Sequence, residues 1–519
     1  MSQKIIKQVL ITGCLLSLFS CSFAEKTQVD TLIENGEVYT GMNGEAQALD
    51  IALCGDIICG VYPRGEHNVT ANKVINAQDK VVSPGFIDPH THTLAELYSQ
   101  DKNHNLNYLT QGVTTVINGN DGEGPVDIAK TAKALEANGI GTNVGLLVGH
   151  GSVREQVMGR AQRFATAKEL EEMSQLLTKA MEAGGLGLST GLYYVPGSFA
   201  NTEEVVTLAK IASKYGGIYD THLRDESTFN IGLDAAIDEA IHIASAADIH
   251  LHLAHIKALG VDVWGKSKNV IEKIEQAQAR GLSLSADQYP WLASGTKLHS
   301  AVMPKWVMAD STESFYKRLN DPKLAERLRS EITENIRRRG GAKSLLITAF
   351  KNEELVGLNL AEVANKRSAD PITTAIQLVQ EGDVRVASFN MSPQDVENFM
   401  VQPWVVTSSD GTNGHPRKYA SFPKKYQKYV VEKKLLTLGD FIKKSSSQTA
   451  EILGLDNRGK LVKGYKADVI VFNPKTLSAN ADFSTWNKYS TGIDHVIVNG
   501  ELVIHHRKYL KKLAGKFVH

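Results

Sequence analysis

The chain of 519 residues carries 57 Lys and Arg residues and 57 Asp and Glu residues, so its formal net charge is zero. This balance argues against the broad basic surface that binds nucleic acid, and it leaves a small molecule as the expected partner. With 42% hydrophobic and 22% charged residues, the composition is that of a globular protein too long for one simple core.

The N-terminus is predicted to be an export signal. Two lysines precede an apolar run at residues 9–19, which is short for a membrane span but has the length of a signal-peptide core. Two cleavage patterns compete, one resembling a lipoprotein signal with Cys21 as the lipidated residue and one ending at Ala24. We assign residues 1–24 to the signal and expect the mature protein in the periplasm or cell envelope, with a lipid anchor at Cys21 as its one route to a membrane.

Two cysteines follow this segment, Cys54 and Cys59. They could form a disulfide in an oxidising compartment, or lie buried and unpaired. A two-residue hairpin turning at Gly55-Asp56 would not place them opposite each other. A metal site is not expected because the chain offers no second cysteine pair.

Both ends of the chain have a β-rich texture. Residues 27–81 contain short strand patterns punctuated by Asn-Gly and Gly-Asp turns, and similar patterns return in residues 456–519. We therefore expect one small β-sandwich formed from both chain ends, with residues 82–455 inserted between its two parts as the catalytic body.

Within that body, apolar strand patterns alternate with helical ones. The eight strand candidates are residues 86–92, 113–120, 143–151, 186–190, 218–224, 249–257, 282–291 and 404–411. Continuous apolar strands separated by helices indicate a parallel sheet, and eight such units predict a (β/α)8 barrel of the TIM type, an α/β fold. Residues 305–382 break the alternation, so we expect them to form an insertion that covers the barrel mouth.

Potential metal ligands collect at the predicted strand ends. His90 and His92 follow the first strand, and their i, i+2 spacing places both side chains on one face. The ends of four other strands supply Asp121, His222, His255 and Asp410. Because active sites of such barrels lie at the C-terminal ends of the strands, this set predicts the metal site of a hydrolase.

The sequence resembles the amidohydrolase superfamily and, within it, the N-acyl-D-amino-acid deacylases, or D-aminoacylases. The resemblance covers nearly the whole mature chain. It rests on Pro84-Gly85-Phe86-Ile87-Asp88-x-His90-x-His92, Gln111-Gly112-Val113-Thr114-Thr115-Val116, Gly149-His150-Gly151, Gly187-Leu188-Ser189-Thr190-Gly191-Leu192, His222-Leu223-Arg224-Asp225-Glu226, His255-x-Lys257, Trp264-Gly265-Lys266-Ser267, Asp287-x-Tyr289-Pro290, Ser409-Asp410-Gly411, His415-Pro416-Arg417, Ala481-Asp482-Phe483 and Tyr489-Ser490-Thr491-Gly492-Ile493.

This resemblance implies different roles for the individual ligands. His222 and His255, with the residue at the end of the second strand, would hold a tightly bound Zn²⁺. His90, His92 and Asp410 would line a second, weaker metal position. Asp410 would also be the general base that deprotonates the metal-bound water and then protonates the leaving amine.

One position departs from the family pattern. Familiar D-aminoacylases carry a cysteine at the end of the second strand, where this chain has Asp121. A carboxylate is a harder ligand than a thiolate and can bridge two metals, so the number of metals stays open, with Glu123 as a fallback ligand. The end of the fourth strand has no lysine, so the carbamylated lysine bridge of dihydroorotases and hydantoinases is not available there.

Substrate recognition is also implied by the resemblance. Lys257 would bind the substrate carboxylate, with Tyr289 and Tyr193 as hydroxyl partners. The loop after Tyr289 lacks the arginine expected in members that act on acidic D-amino acids, and its Trp291 and Leu292 favour an apolar or broad side-chain preference. Three further residues could contact or support the substrate: His150, Arg224 and Arg417.

These features predict metal-dependent hydrolysis of N-acyl-D-amino acids to a carboxylate and a free D-amino acid. The alternatives within the superfamily are a dipeptidase and a cyclic-amide hydrolase, and the missing lysine counts against the latter. The alternative of another class is a non-catalytic exported binding protein on a decayed barrel. The intact ligand set and Asp410 count against that reading.

Overall fold

The structure is a computed structural model that describes residues 26–519. The predicted signal at residues 1–24, with Cys21, lies outside the described residues. Within residues 26–519, no helix combines the length and the hydropathy needed to cross a membrane.

The strands are, in chain order, β1 (Thr27–Glu34), β2 (Glu37–Val38), β3 (Gln47–Cys54), β4 (Ile57–Pro63), β5 (Val69–Asn76), β6 (Val81–Pro84), β7 (Phe86–Asp88), β8 (Val113–Asn118), β9 (Asn143–Leu146), β10 (Val148–Gly149), β11 (Gly187–Gly191), β12 (Ile218–His222), β13 (His250–Leu253), β14 (Leu284–Gln288), β15 (Ala293–Lys297), β16 (Leu345–Ala349), β17 (Arg385–Phe389), β18 (Val405–Thr407), β19 (Val469–Phe472), β20 (Ile493–Val498), β21 (Glu501–His505) and β22 (Lys508–Tyr509).

The α-helices are α1 (Leu94–Tyr98), α2 (Leu106–Leu109), α3 (Ile128–Asn138), α4 (His150–Met158), α5 (Ala167–Glu182), α6 (Thr202–Lys214), α7 (Leu233–Ala247), α8 (Ser267–Ala279), α9 (Leu298–Val302), α10 (Thr312–Leu319), α11 (Ala325–Arg338), α12 (Leu360–Lys366), α13 (Pro371–Glu381), α14 (Pro393–Met400), α15 (Arg417–Lys425), α16 (Leu438–Lys444) and α17 (Ser447–Ile452). A π-helical segment, Tyr426–Glu432, extends α15.

The two chain ends form one β-domain, as the sequence predicts. Nine of its ten strands pair in the order β22-β21-β20-β19-β6-β2-β3-β1-β5, and the tenth, β4, also pairs with β3. Ile33 and Ile51 from the N-terminal part pack with Val469 and Ile497 from the C-terminal part in one apolar core. Burial of these side chains from both termini holds the ends of the chain together.

The predicted barrel is present. Strands β7-β8-β9 and β10-β11-β12-β13-β14-β18 pair in parallel, β9 and β10 being two parts of one interrupted strand. A parallel bridge between Thr91 and Gly411 joins the first strand to the last. Most strand residues, such as the whole of β8 and β12, are buried on both faces, which explains their continuous apolar pattern.

The segment between β14 and β18 has a core of its own. Strands β15, β17 and β16 form an antiparallel sheet, and α9 to α13 pack against it. Helix α11 buries Leu328, Ile332 and Ile336, which recur every four residues and so share one face. The sheet begins at β15 and ends with β17, and it therefore extends beyond residues 305–382 on both sides.

The hairpin of β3 and β4 contains a disulfide between Cys54 and Cys59, whose Cα atoms are 5.7 Å apart. Leu53 pairs with Ile58, whereas Ala52 pairs with Gly60, so Cys59 is the extra residue of a β-bulge. A regular register would have kept the two cysteines apart. The bulge brings them together, which hydrophobic patterning could not foresee.

Candidate metal centre and active site

The C-terminal ends of the barrel strands bring the predicted ligands together. His90 and His92 follow β7, Asp121 follows β8, and Asp410 follows β18. Asp121, His255 and Asp410 adopt φ angles of 57°, 36° and 46°. The left-handed conformation costs a non-glycine residue about 1–2 kcal/mol, and such strain tends to persist where function over-determines the backbone.

Asp121 lies at the centre of this cluster. Its Oδ1 atom is 3.5 Å from His90 Nε2, 3.6 Å from His222 Nδ1 and 3.2 Å from His255 Nε2. Its Oδ2 atom is 3.5 Å from His92 Nε2. One carboxylate therefore faces all four histidines, which is the position that a bridging ligand would occupy.

Asp410 completes the cluster. Its Oδ1 atom is 3.3 Å from His92 Nε2 and 3.7 Å from His90 Nε2. Its Oδ2 atom is 2.7 Å from Arg417 Nη1. Although burial favours the neutral acid, Arg417 and His255 lower the pKa of Asp410 below its usual value. The carboxylate is therefore held in the ionised form that a general base needs.

The donor set fits a divalent metal. Ligand atoms of His90, Asp121, His255 and Asp410 lie within 4.8 Å of one another, and all four residues are buried. His90 Nε2 and Asp121 Oδ1 have no hydrogen-bond partner among the described residues. Leaving a buried polar group unpaired costs about 1–3 kcal/mol, a cost that a coordinated cation removes. Imidazole and carboxylate together are typical zinc ligands.

The local electrostatics also favour positive charge. Burial disfavours a protonated His90, yet Asp121 and Asp287 raise its pKa well above the usual value. Burial likewise disfavours the Asp121 carboxylate, but His90 and His255 hold the pKa of this group well below the usual range. The carboxylates thus stabilise a cationic His90, as they would stabilise a metal cation, whereas burial lowers the pKa of His222.

Glu226 contacts two of the histidines at the ring nitrogens that do not face Asp121. Its Oε2 atom is 3.7 Å from His222 Nε2, and its Oε1 atom is 3.3 Å from His255 Nδ1. Each imidazole therefore presents its other nitrogen to Asp121. Such outer contacts fix the ring orientation of metal ligands. Sequence reasoning assigned Glu226 no role, although its position four residues after His222 was an available signal.

Two buried aspartates hold the ligand-bearing backbone. Asp88 Oδ1 accepts hydrogen bonds from the amides of His90 and Ser409, at 3.2 and 3.1 Å. Asp287 Oδ1 accepts one from the amide of His255 at 3.1 Å. Burial raises the pKa of Asp88 to about 7. These contacts tie three strand ends to fixed positions around the cluster.

The predicted carboxylate-binding residue Lys257 is buried and already paired. Its Nζ atom donates to Glu226 Oε1 at 2.6 Å and lies 2.7 Å from His255 Nδ1. Lys257 also lines the cavity above the cluster. An ammonium group has three donors, so one remains for a ligand.

The two predicted tyrosines occupy different environments. The Tyr289 hydroxyl is buried without a hydrogen-bond partner among the described residues, and its ring lies 4.8 Å from the Arg417 guanidinium. The Tyr193 hydroxyl donates to Ser300 O at 3.0 Å and accepts from Arg339 Nη2 at 3.3 Å. Tyr289 therefore has the free hydroxyl of the pair.

A cavity of about 270 Å³ lies over the cluster and opens to solvent. Its wall includes residues that sequence reasoning missed: Tyr194, Lys297, Arg339 and Arg385. The Tyr194 ring centroid is 4.7 Å from that of His222, so this side chain borders the metal cluster directly. Lys297, Arg339 and Arg385 come from the segment between β14 and β18, whose own fold brings them to the mouth.

Several sequence-based candidates lie elsewhere. His150 Nε2 is hydrogen-bonded to Glu204 Oε1 at 2.8 Å, and Arg224 Nε forms an ion pair with Glu239 Oε2 at 2.8 Å. Both side chains are therefore engaged outside the cavity. Glu123 lines the cavity but belongs to none of the candidate metal groups of the described residues. Trp291 and Leu292 do not line the cavity.

A barrel with histidines and carboxylates at the C-terminal ends of its strands defines a class of hydrolytic metal proteins. The family model described as "Amidohydrolase family" matches residues 81–503, and the chain belongs to this family.

Two relatives come from Alcaligenes xylosoxydans xylosoxydans. The chain is 29% identical to its D-aminoacylase over 95% of this chain and 98% of the relative. It is 30% identical to its N-acyl-D-glutamate deacylase over 91% of this chain and 93% of the relative.

Solved structures give the same relationship. A crystal structure of D-aminoacylase superimposes with a TM-score of 0.81 at 28% identity, covering 95% of this chain and 100% of that chain. N-acyl-D-glutamate deacylase from Bordetella bronchiseptica, complexed with zinc and a phosphonate that mimics the tetrahedral intermediate, gives a TM-score of 0.81 at 27% identity, covering 95% and 99%. D-hydantoinase, at 14% identity and a TM-score of 0.55, shares the fold.

Proposed function

We propose that this protein is a metal-dependent deacylase that hydrolyses N-acyl-D-amino acids to a carboxylate and a free D-amino acid. The observation that carries the proposal is the convergence of four histidines, Asp121 and an ionised Asp410 at the mouth of the barrel. The names of the most similar relatives support the same reaction class.

The metal is proposed to be Zn²⁺. His222, His255 and Asp121 would hold one ion, and His90, His92 and Asp410 would line a second position, with Asp121 as the shared ligand. A metal bound there polarises the amide carbonyl and lowers the pKa of a water molecule. Because a carboxylate can serve two metals, we infer that Asp121 supports two ions in this chain.

Asp410 is proposed to move the proton. Its carboxylate accepts a proton from the attacking water, and it then donates that proton to the nitrogen as the C–N bond breaks. Arg417 keeps the carboxylate ionised before the reaction and orients Oδ2, leaving Oδ1 toward the histidines. General acid–base catalysis of this kind contributes about 10²–10⁴-fold to the rate.

The substrate carboxylate is proposed to bind the third donor of Lys257 together with the Tyr289 hydroxyl. Lys257 Nζ lies 5.8 Å from the Tyr289 ring centroid, and both line the cavity. Glu226 holds the ammonium group in place but also neutralises part of its charge. The free hydroxyl of Tyr289 therefore contributes a larger share of recognition than the sequence alone indicated.

We infer that the substrate side chain is acidic. Arg385 lines the cavity, and its guanidinium makes no ion pair or hydrogen bond with any residue in 26–519. An unpaired arginine on a cavity wall suits a planar carboxylate. This inference replaces the apolar preference expected from Trp291 and Leu292, which do not line the cavity.

A panel of substrates tests both the D-deacylase proposal and the proposed preference for an acidic side chain. Zinc-loaded protein would be assayed with N-acetyl-D-glutamate, N-acetyl-D-leucine and their L-enantiomers. We expect hydrolysis of the D-substrates and the highest kcat/KM for D-glutamate. In Arg385→Met the preference should move toward D-leucine by at least about tenfold, the equivalent of 1.4 kcal/mol. The matched control Arg367→Met, which breaks an exposed pair with Glu381, should leave the preference unchanged.

Hydrolysis of L-substrates alone would contradict the D-deacylase proposal. If Arg385→Met and the wild-type protein showed the same substrate preference, only the proposal that the substrate side chain is acidic would be contradicted. A dipeptidase would instead hydrolyse D-dipeptides faster than N-acetyl substrates.

We further propose that the protein is exported. The Cys54–Cys59 disulfide supports export, because disulfides persist in oxidising compartments such as the periplasm. Cell fractionation and mass analysis of the mature N-terminus would test it. A protein found in the cytoplasm with its first residues intact would contradict the proposal, and a lipid mass on Cys21 would establish the anchor.

A further inference from the structure

A second group of potential metal ligands lies on the β-domain. His495 is in β20, His505 is the last residue of β21, and His506 begins the turn to β22. Ligand atoms of the three imidazoles lie within 4.8 Å of one another. None of them lines the catalytic cavity. We call these three residues the histidine triplet.

Strand register creates the triplet. His495 and His505 are directly paired across the antiparallel strands β20 and β21. Their Nδ1 atoms are 3.1 Å apart. Two nitrogens bound to one zinc at 2.0–2.1 Å in tetrahedral geometry are about 3.3 Å apart. This pair therefore already has nearly the spacing of two ligands of a single metal ion.

The hairpin turn adds the third imidazole. His505 pairs with Lys508, so His506 and Arg507 are the two central residues of the turn, with φ angles of 47° and 66°. Two-residue turns of this type favour Asn-Gly, because both positions need positive φ. The turn instead carries a histidine whose ring centroid lies 4.7 Å from that of His495 and 4.2 Å from that of His505.

The nitrogens are available for coordination. His495 is buried, and its Nε2 atom has no partner among the described residues. The Nδ1 atoms of His495 and His505 contact each other, and among residues 26–519 no residue outside the triplet hydrogen-bonds to any of the three rings. The ligand nitrogens are therefore not committed to other partners.

The surroundings select the class of cation. The adjacent acid, Asp494, is paired with Lys80 at 2.9 Å and Arg507 at 2.6 Å, and among residues 26–519 no carboxylate belongs to the group formed by the three imidazoles. Ca²⁺ and Mg²⁺ require oxygen ligands and are excluded by this chemistry. Imidazole nitrogens suit Zn²⁺, Ni²⁺ and Cu²⁺.

We propose that the histidine triplet binds one transition-metal cation, in addition to the metal of the catalytic centre. The ion would bridge β20 to the hairpin of β21 and β22. His506 is exposed and can rotate to close the remaining distance, so the site would form without movement of the strands.

Equilibrium dialysis of the full mature chain against Zn²⁺, followed by metal analysis, tests the proposal. His506→Asn is the sharpest variant, because asparagine tolerates positive φ and removes only the imidazole. Wild-type protein should hold one more zinc ion per chain than this variant. His505→Asn should weaken binding at this site by at least about tenfold, since loss of even an outer contact costs that much.

His242→Asn provides the control, since His242 is an exposed histidine outside the triplet. It should bind zinc like the wild type, and all three variants should keep the wild-type rate of hydrolysis. Equal zinc content in wild type and His506→Asn would overturn the proposal. An equal loss in His242→Asn would also overturn it, because binding would then be distributed over surface histidines. Neither outcome bears on the catalytic proposal.

Discussion

Replacement of Arg417 by methionine tests how the proposed general base, Asp410, is kept ionised. Arg417 is buried, and its Nη1 atom is 2.7 Å from Asp410 Oδ2. The contact is an ion pair without hydrogen-bond geometry, so its effect is Coulombic, and an adjacent Arg⁺ lowers the pKa of an aspartate by about 1–3 units. Because nearby histidines also lower the pKa of Asp410, loss of Arg417 alone should raise it by roughly 1–2 units.

The sign of the effect follows from the role of Asp410. A higher pKa protonates the carboxylate over a wider acidic range, so the acid limb of the kcat/KM profile should move to higher pH by the same roughly 1–2 units. Arg417→Lys keeps the charge and should shift the limb less. Arg367→Met, which removes a half-buried arginine outside the cavity, should leave the profile in place.

Measurement of kcat/KM across pH, with metal content and the melting temperature checked for each variant, decides the matter. An unchanged acid limb in folded, metal-loaded Arg417→Met would refute the reasoning. Loss of folding in this variant alone would shift the test to Arg417→Lys, whose intermediate displacement is then the required result.

Two further predictions concern the support of the site and the response of the fold to acid. Glu226→Gln removes the charge that faces the outer nitrogens of His222 and His255. Zinc affinity, measured by competition with a chelator, should therefore fall by about 10–100-fold. Unchanged affinity would contradict the orienting role of Glu226. Burial lowers the pKa of His299 to about 4, so the unfolded chain binds more protons than the folded one between about pH 6.5 and pH 4. The free energy of unfolding should therefore decrease as the pH is lowered through this range. Urea unfolding should show a shallower pH slope in His299→Gln, and an unaltered slope would exclude His299 as a cause.

The convergence of the predicted ligands could be foreseen because each of them ends or follows a barrel strand. His90, His92, Asp121 and Asp410 each follow an apolar run, and parallel strands bring their C-terminal ends to one rim. The pattern of strand ends does not indicate which ligand contacts which, nor the distances between the strands. The central position of Asp121 is visible only in the folded cluster.

Residues from the segment between β14 and β18 were not predictable. Arg339 and Arg385 reach the cavity because this segment forms its own antiparallel sheet, whose position on the barrel depends on long-range packing. The family resemblance predicts the substrate-binding arginine of members that act on acidic D-amino acids in the loop after Tyr289, whereas the arginine proposed for that role, Arg385, begins β17, almost a hundred residues later. Similarly, the resemblance predicts the role of Lys257, but only the structure shows its pairing with Glu226.

The exchange of Asp410 for asparagine tests the central claim most directly. The amide has nearly the shape of the carboxylate but cannot accept the proton from water. At matched zinc content, kcat on the best N-acyl-D-amino acid should fall by about 10²–10⁴-fold. Because Lys257 and Tyr289 remain, KM should change little. A variant that carries the wild-type complement of zinc and retains the wild-type kcat would contradict the account.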